Sequence, residues 1–365
     1  MATATSWRRL CRSSAAALAC SAPARRALGF LARRFQPNVR PGAGLAFPFV
    51  RPRRSGNLQI LIYHRVNDER DPFFPAIPVA VFARHMAYVA SELTVLPLEE
   101  AVQRLRARDL PTNAAVVTFD DGYKDNRIHA FPILRQHSIP FTVFLATDAI
   151  GTGRAVWHDQ VFSAFRDSRA DVLALGREHR YELGTLDDRV RAQGAILDFL
   201  RTLHPSERSR WIERLADALG SPLLRAAPRL MLNWDDVRAM AGEGVSFGCH
   251  TASHPILSRL SGDEVRDEIV RAQQAIEKEL GAPARTFAYP NGGRGDFDDT
   301  TKGVLRELGF ACAVTTIFGV NESDQDPLEL RRGQPWEHDL ATFASKLHWY
   351  RFSTSHVPAH RGGGA

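Results

Sequence analysis

The chain of 365 residues is long enough for one large domain or two ordinary ones, and its composition, 44% hydrophobic and 24% charged, excludes a disordered protein. The net charge of +6 arises in the first 57 residues, which contain eleven arginines and no lysine or acid and leave the rest of the chain at −5. A mildly acidic body gives no electrostatic reason to expect nucleic-acid binding.

Residues 1–57 form a basic leader rich in Arg, Ala, Ser and Pro, which is unsuited to a packed domain. Three interpretations remain open: a signal peptide with its apolar stretch at Ala15–Cys20, an organelle transit sequence, or a start codon assigned too early. The compartment is therefore open between the cytoplasm and export to the periplasm or cell envelope. No window contains the roughly 20 apolar residues of a membrane-spanning helix, so no transmembrane segment is expected.

Strand-like and helix-like segments alternate along the body, which favours a parallel α/β fold. The first half has the strands Leu58–Tyr63, Ala114–Phe119 and Phe141–Leu145 and the helices Pro78–Glu92 and Pro97–Leu105. From about residue 150 to residue 230 the alternation stops, and the chain becomes charged and helical in character. This stretch is predicted to be a helical insertion on the rim of a barrel.

The alternation resumes after the insertion. It comprises the helix Trp234–Ala241, the strand Val245–Cys249, a long helix, the strand Arg285–Tyr289, a helix through Val304–Leu308 and the strand Phe310–Thr315. Ser261 and Glu264 have the spacing of a capping box at the start of the long helix, and Gly281 is a C-terminal stop signal. Residues 346–365, which end in Gly-Gly-Gly-Ala, are expected to be a flexible tail.

Polar residues cluster where three of the predicted strands end. The clusters are Asp120-Asp121 after Ala114–Phe119, His250 to His254 after Val245–Cys249, and Pro290-Asn291 after Arg285–Tyr289. The carboxyl ends of parallel barrel strands lie at one rim, and active sites assemble there. The sequence therefore predicts one site built from these three clusters.

The two aspartates and the two histidines can supply different parts of such a site. Gly122 lets the chain turn after the strand, so that Asp120 and Asp121 reach one cavity; the alternative is an ordinary Asp-Gly turn. Pro255 favours a loop rather than a helix at His254. Two imidazoles and one carboxylate leave an open position for water, as in a catalytic zinc site; the alternative is a pair of surface or core histidines.

Together the segments Thr118-Phe-Asp-Asp-Gly122, His250-Thr-Ala-Ser-His254-Pro255 and Phe287-Ala-Tyr-Pro-Asn-Gly292 resemble the motifs of the polysaccharide deacetylase family (NodB homology domain, carbohydrate esterase family four). The resemblance covers about residues 58–335. It implies a distorted (β/α)7 barrel, here placed at residues 58–345, in a metal-dependent hydrolase that removes N-acetyl groups from a sugar polymer or glycolipid.

The same resemblance assigns roles to individual residues. It implies Asp120 as the general base and Asp121, His250 and His254 as ligands of a divalent metal, with Zn²⁺ the default and Co²⁺ or Ni²⁺ the alternatives. It also places a backbone N–H for the oxyanion in the loop at Asn291. Tyr123 is a candidate for the wall of the sugar cleft, and a buried tyrosine is the alternative reading.

The sequence departs from the family pattern at two positions. Ala288 stands where many members have an arginine that clamps the catalytic aspartate, so a guanidinium from Arg285, Arg331 or Arg332 is expected within salt-bridge reach of Asp120. The family's Leu-x-His motif, which supplies the general acid, has no convincing match here. His64, at the end of the first strand, is the candidate acid, and a capping or core histidine is the alternative.

Two other functions remain open at this point. One is a non-catalytic carbohydrate-binding member of the fold, against which the intact aspartate and histidine sets argue. The other is a cyclic-amide hydrolase for a small molecule, because some members of the family resemble allantoinases. Acetate release distinguishes the deacetylase from both.

Overall fold

The computed structural model describes residues 56–352, apart from Arg177 and residues 222–229. Nearly all of the predicted leader therefore lies outside the described residues. The strands are β1 (Gln59–Tyr63), β2 (Thr94–Val95), β3 (Ala114–Phe119), β4 (Phe141–Leu145), β5 (Val172–Leu175), β6 (His179–Glu182), β7 (Ser246–Cys249), β8 (Thr286–Ala288), β9 (Cys312–Phe318) and β10 (Leu330–Arg332).

Ten α-helices accompany these strands within the described residues. They are α1 (Val79–Glu92), α2 (Leu98–Arg106), α3 (Phe131–Gln136), α4 (Trp157–Asp167), α5 (Leu186–Arg201), α6 (Pro205–Ala218), α7 (Trp234–Gly242), α8 (Gly262–Leu280), α9 (Asp299–Glu307) and α10 (Leu340–Phe352). A π-helical turn at Asn126–Ala130 and a 3-10 turn at Leu257–Arg259 complete the helical segments. None of the helices in the described ranges is long and apolar enough to span a bilayer.

Seven parallel strands form a nearly closed barrel in the order β1-β3-β4-β7-β8-β9-β10, and the short β2 pairs with β3. Gly333, just after β10, closes the ring: its N–H donates to the carbonyl of Ile60 at 2.7 Å, and its own carbonyl accepts from the N–H of Ile62 at 3.1 Å. The (β/α)7 barrel expected from the sequence is confirmed. All carboxyl ends of its strands therefore point to one rim.

The barrel interior explains one glycine of the sequence. The Phe144 side chain of β4 is fully buried in the cluster of interior residues that includes Ile60, Val116 and Val314. A Cβ at Gly248 would lie 2.4 Å from the Phe144 ring, so any side chain in this position of β7 would collide with it. Glycine at this position of β7 thus leaves the room that Phe144 fills.

The insertion contains α4, α5 and α6, as expected, but also an antiparallel hairpin of β5 and β6 that was predicted as helical. Hydrophobic periodicity could not predict the hairpin, because each strand has only four residues and so short a segment does not distinguish a strand from a helix. Buried apolar residues of the three helices and β5 form a cluster separate from the main barrel cluster, with members Val161, Phe165, Leu173, Ile196 and Leu215.

The C-terminal helix changes the predicted extent of the flexible tail. Residues 346–352, expected to be the start of the tail, belong to α10. Phe343 and Leu347, one helical turn apart, are buried in the main core, and the ring of His85 stacks on Phe343 with a centroid separation of 3.8 Å. This packing holds the helix on α1. Residues 353–365 lie outside the described residues.

Candidate active site

Asp121, His250 and His254 bring three potential metal-ligand atoms together at the ends of β3 and β7. Oδ1 of Asp121 lies 3.5 Å from Nε2 of His250 and 3.3 Å from Nε2 of His254. Ligand atoms about 2.0–2.1 Å from a tetrahedral zinc ion are about 3.3 Å apart, so these separations fit one ion. Oδ1 of Asp121 is buried and has no hydrogen-bond partner among the described residues, which is the condition of an acceptor placed for a cation.

The backbone turns that bring these ligands together are left-handed. Asp121 has φ 70° and Gly122 has φ 83°, whereas the N–H of Asp120 still bonds the carbonyl of Tyr63 in the neighbouring strand at 3.0 Å. His254 has φ 59°, which is uncommon for a residue with a side chain. Such conformations concentrate at functional sites, where the surrounding structure compensates for their strain.

Hydrogen bonds hold the ring of one histidine and the backbone of the other. Nδ1 of His250 lies 2.7 Å from the carbonyl oxygen of Ala288; since a carbonyl only accepts, Nδ1 carries the proton and Nε2 is free to bind a metal. Nε1 of Trp157 donates to the carbonyl of His254 at 3.1 Å. The ring of His250 is thus fixed with Nε2 towards Asp121, whereas at His254 the hydrogen bond holds the backbone, and Nδ1 of the ring is buried without a partner among the described residues.

The electrostatics suit cation binding. Burial alone would raise the pKa of Asp121, but contact with His250 and the charges of His254, His158 and His64 outweigh it and hold that pKa well below its usual range. Burial lowers the pKa of His254. Burial would also lower the pKa of His250, but the carboxylates of Asp121 and Asp120 outweigh burial and raise it, so a cation competes with a proton only there.

Asp120 is held by Arg332, one of the three arginines expected near it. Two guanidinium nitrogens of Arg332 donate to the two carboxylate oxygens of Asp120, each at 2.7 Å. The same guanidinium donates to the carbonyl of Thr315 at 2.7 Å and to Oγ1 of Thr118 at 3.2 Å. Burial would raise the pKa of Asp120, but the charge and hydrogen bonds of Arg332 outweigh burial and lower it, so the carboxylate is ionised at neutral pH.

The other two arginines lie elsewhere. Arg285 is exposed and pairs with Glu99 at 2.9 Å, so its placement beside Asp120 is wrong. Arg331 neighbours Arg332 on β10, and successive residues of a strand point to opposite faces. Its side chain lies over Gly319, where an added Cβ would stand 2.8 Å from Cδ of Arg331. Arg332 alone of the three points into the barrel.

Tyr123 is fully buried, so its aromatic face does not line an open cleft and the alternative reading applies. Its hydroxyl donates to Oδ1 of Asp159 at 3.0 Å and lies 3.0 Å from Nε2 of His158. The same nitrogen of His158 lies 3.8 Å from Oδ2 of Asp121. The insertion, which supplies His158 and Asp159, therefore covers Tyr123 and extends to Asp121.

Trp157, His158 and Asp159, at the start of α4, are site residues that sequence reasoning missed. An acid in the first turn of a helix is ordinarily explained by the helix dipole, so Asp159 gives no signal of its own. Burial and the charge of Asp121 raise the pKa of Asp159 to about 8. Asp159 is therefore protonated at neutral pH, and Asp121 is the charged carboxylate of the pair.

His64 and Asn291 lie at the same rim. His64 follows β1, is partly exposed, and its charge contributes to the lowered pKa of both Asp120 and Asp121. Its carbonyl accepts from Nδ2 of Asn126 at 2.8 Å. Asn291 has φ 60°, and its carbonyl accepts from Oγ1 of Thr316 at 2.5 Å. Both residues thus have fixed backbones at the mouth of the site.

The fold and the site define a parallel (β/α) barrel with a candidate Asp-His-His metal site at its carboxyl rim. The sequence profile described as polysaccharide deacetylase matches residues 107–313, more than half of the chain. The chain belongs to the polysaccharide deacetylase family. YxkH of Bacillus subtilis (strain 168), a relative whose name also assigns it to the polysaccharide deacetylases, is 24% identical over 115 residues, which span 31% of this chain and 40% of that protein.

Solved structures share the fold. The deacetylase PplD of Streptococcus pyogenes, in complex with acetate, superposes with a TM-score of 0.53 at 19% identity, covering 77% of this chain and 92% of PplD. IcaB from Ammonifex degensii superposes with a TM-score of 0.54 at 21% identity, covering 81% of this chain and 98% of IcaB. At these identities the likeness establishes the barrel and leaves the substrate open.

Proposed function

We propose that this protein is a metal-dependent hydrolase that removes N-acetyl groups from an N-acetylated sugar polymer or glycolipid. The observation that carries the proposal is the meeting of Oδ1 of Asp121 with Nε2 of His250 and His254, beside the ionised carboxylate of Asp120. Membership of the polysaccharide deacetylase family supports it, as does the likeness to PplD, which is described as a deacetylase bound to acetate.

Asp121, His250 and His254 would hold a divalent cation, with Zn²⁺ the default for two imidazoles and one carboxylate and Co²⁺ or Ni²⁺ the alternatives. When bound, the cation supplies a Lewis acid for the amide carbonyl and a water of lowered pKa. The protein residues do the rest of the work: they position the acetamide, accept and donate protons, and stabilise the oxyanion.

Asp120 acts as the general base in this proposal. Arg332 bonds both of its oxygens, so the carboxylate is ionised and cannot rotate away from the site. It accepts the proton of the water that attacks the acetamide carbon. A carboxylate of lowered pKa is a weak base, which would suit a water whose own pKa a bound cation lowers.

His64 and Asn291 complete the proposed chemistry. The amine can leave only if it is protonated, and the partly exposed imidazole of His64 can donate that proton. The N–H of Asn291 is the proposed donor to the oxyanion. Tyr123, His158 and Asp159 act behind the metal ligands, by fixing the carboxylate of Asp121.

The test measures acetate released from a panel of N-acetylated glycans and N-acetylated glycolipids, by protein stripped of metal and then reloaded. We expect release to require the cation, and we expect His254→Ala to lose both bound metal and acetate release. His179→Ala, in the hairpin of the insertion, is the control and should keep both. Acetate release that survives complete chelation contradicts the proposal; ring opening without acetate would indicate a cyclic-amide hydrolase.

A further inference from the structure

Arg208 of α6 is a buried cation without an anionic partner. It occupies the buried face of the helix, in register with Ile212 and Leu215, and is 4% exposed. Its Nη1 is buried and has no hydrogen-bond partner among the described residues. The guanidinium instead stacks on the ring of Trp157, 4.5 Å from the centroid. Buried arginines are normally paired with a carboxylate or a phosphate, because a desolvated charge is unfavourable alone.

The chain itself does not supply the missing partner. Glu268 is the acid whose charge acts on Arg208, but its oxygens already accept from the N–H groups of Ala252 and Ser253 and from the hydroxyl of Ser253. The residues that the structure does not describe contain no Asp or Glu at all. No acidic side chain from those segments can therefore pair with Arg208, and its partner is to be sought outside the chain.

Arg208 lies beside the metal site. Trp157, on which it stacks, donates its indole N–H to the carbonyl of the metal ligand His254. Arg201, at the end of α5, is a second arginine near the site: its Nη1 pairs with Asp198 at 2.8 Å, its Nε is buried without a hydrogen-bond partner among the described residues, and its charge acts on His158. Two helices of the insertion thus bring positive charge near the metal site.

We propose that Arg208, assisted by the charge of Arg201, binds an anionic group of the substrate beside Trp157 and the loop of His254. The planar guanidinium suits a phosphate or a carboxylate, whose oxygens it binds in pairs. The inference rests on the proposed function and narrows its substrate class: an N-acetylated saccharide with a phosphate or carboxylate next to the acetylated sugar.

Binding calorimetry in a metal-loaded Asp120→Asn background, which prevents turnover, tests this without relying on activity. The probes are N-acetylglucosamine 1-phosphate, a disaccharide of N-acetylglucosamine and glucuronic acid, and neutral N,N′-diacetylchitobiose. We expect an anionic probe to bind about 10–100-fold more tightly than the neutral one, the range for charge-assisted hydrogen bonds. Whichever anionic probe shows the preference identifies phosphate or carboxylate as the group.

Arg208→Gln should abolish most of this preference and Arg208→Lys should keep part of it. Arg214→Gln is the matched control, because Arg214 lies on the same helix and stacks on Trp211 at 4.2 Å but is exposed. It should keep the preference in full. Melting temperature and metal content of each variant separate a binding defect from a folding defect.

Two outcomes overturn the inference. One is equal affinity of the wild-type site for neutral and anionic probes. The other is an Arg208→Gln variant that weakens all three probes by the same factor, which makes Arg208 a structural support for Trp157. Acetate release by the protein with Asp120 intact is measured in parallel: its absence from every substrate contradicts the proposed function, whereas its presence without anionic preference contradicts only the role of Arg208.

Discussion

Two buried arginines, one in the barrel and one in the insertion, have opposite surroundings. Arg332 is fully buried and donates to Asp120, Thr118 and the carbonyl of Thr315, so its charge is neutralised within the chain. Arg208 is almost as buried, but it stacks on the Trp157 ring and forms no ion pair with the described residues. The barrel therefore pairs its buried arginine on folding, whereas the partner that we propose for the arginine of the insertion arrives with the substrate.

The different surroundings of Arg332 and Arg208 suit two different tasks, fixing a catalytic base and binding a group of the substrate. A base that must be ionised and immobile is best fixed before substrate arrives, because orientation then costs nothing during the reaction. A binding group, in contrast, gains most when its partner is absent until the ligand brings it. We therefore expect substitutions in the barrel to affect chemistry and stability, and substitutions in the insertion to affect metal and substrate affinity.

The largest expected effect is on chemistry in the barrel. Asp120→Asn should lower turnover by about 10²–10⁴-fold, the usual loss for a general base, while bound metal remains. Asp121→Asn should instead lower metal content, measured by elemental analysis. Asp217→Asn, on the exposed surface of α6 in the insertion, is the control. Equal metal loss in the Asp120 and Asp121 variants would contradict the division of roles.

Arg332→Met should have the next largest effect, and this effect should appear in the stability of the folded protein. It leaves Asp120 buried and unpaired, which costs about 3–5 kcal/mol of unfolding free energy, measured by urea denaturation. Arg332 lowers the pKa of Asp120, so its removal raises that pKa and should move the acid limb of kcat/KM to higher pH. Arg331→Met, on the opposite face of β10, should shift neither; an unmoved acid limb in Arg332→Met would contradict the assignment.

A smaller effect is expected where the insertion meets the metal site. Tyr123→Phe and Asp159→Leu each remove the hydrogen bond between Tyr123 and Asp159, which ties α4 to the loop after Asp121. Loss of such outer contacts typically weakens metal binding about 10–100-fold, which competition with a chelator measures. Tyr181→Phe, in the hairpin, is the control. Unchanged metal affinity in both variants would show that the insertion only covers the site.

The smallest expected effect is that of Arg208→Met on the free energy of unfolding, and it tests the contrast between Arg208 and Arg332. Arg208→Met breaks no ion pair, and it removes an unpaired buried charge at the cost of one cation–π contact of about 0.5–2 kcal/mol. The two changes oppose each other, so the free energy of unfolding should change by less than about 1 kcal/mol. A loss as large as that of Arg332→Met would mean that Arg208 has a partner in the folded chain.

Short-range features of this protein are determined by its sequence. Ser261 and Glu264 form the predicted capping box, and Gly281 ends α8 with φ 78°. The barrel and the placement of three polar clusters at one rim follow from strands and turns that are each a few residues long. Asp120 and Asp121 separate at a left-handed turn because Gly122 follows them, which is again a local matter.

Only the tertiary structure decided which distant residues complete the site. The sequence left three arginines as candidates for the ion pair with Asp120. Arg332 forms it, because the register of β10 turns the side chain of Arg332, and not that of Arg331, into the barrel. His158, Asp159 and Arg208 reach the metal site through the packing of an insertion whose helices look ordinary in sequence. Periodicity and capping reveal contacts between residues close along the chain, whereas pairing across about 200 residues depends on how whole elements pack.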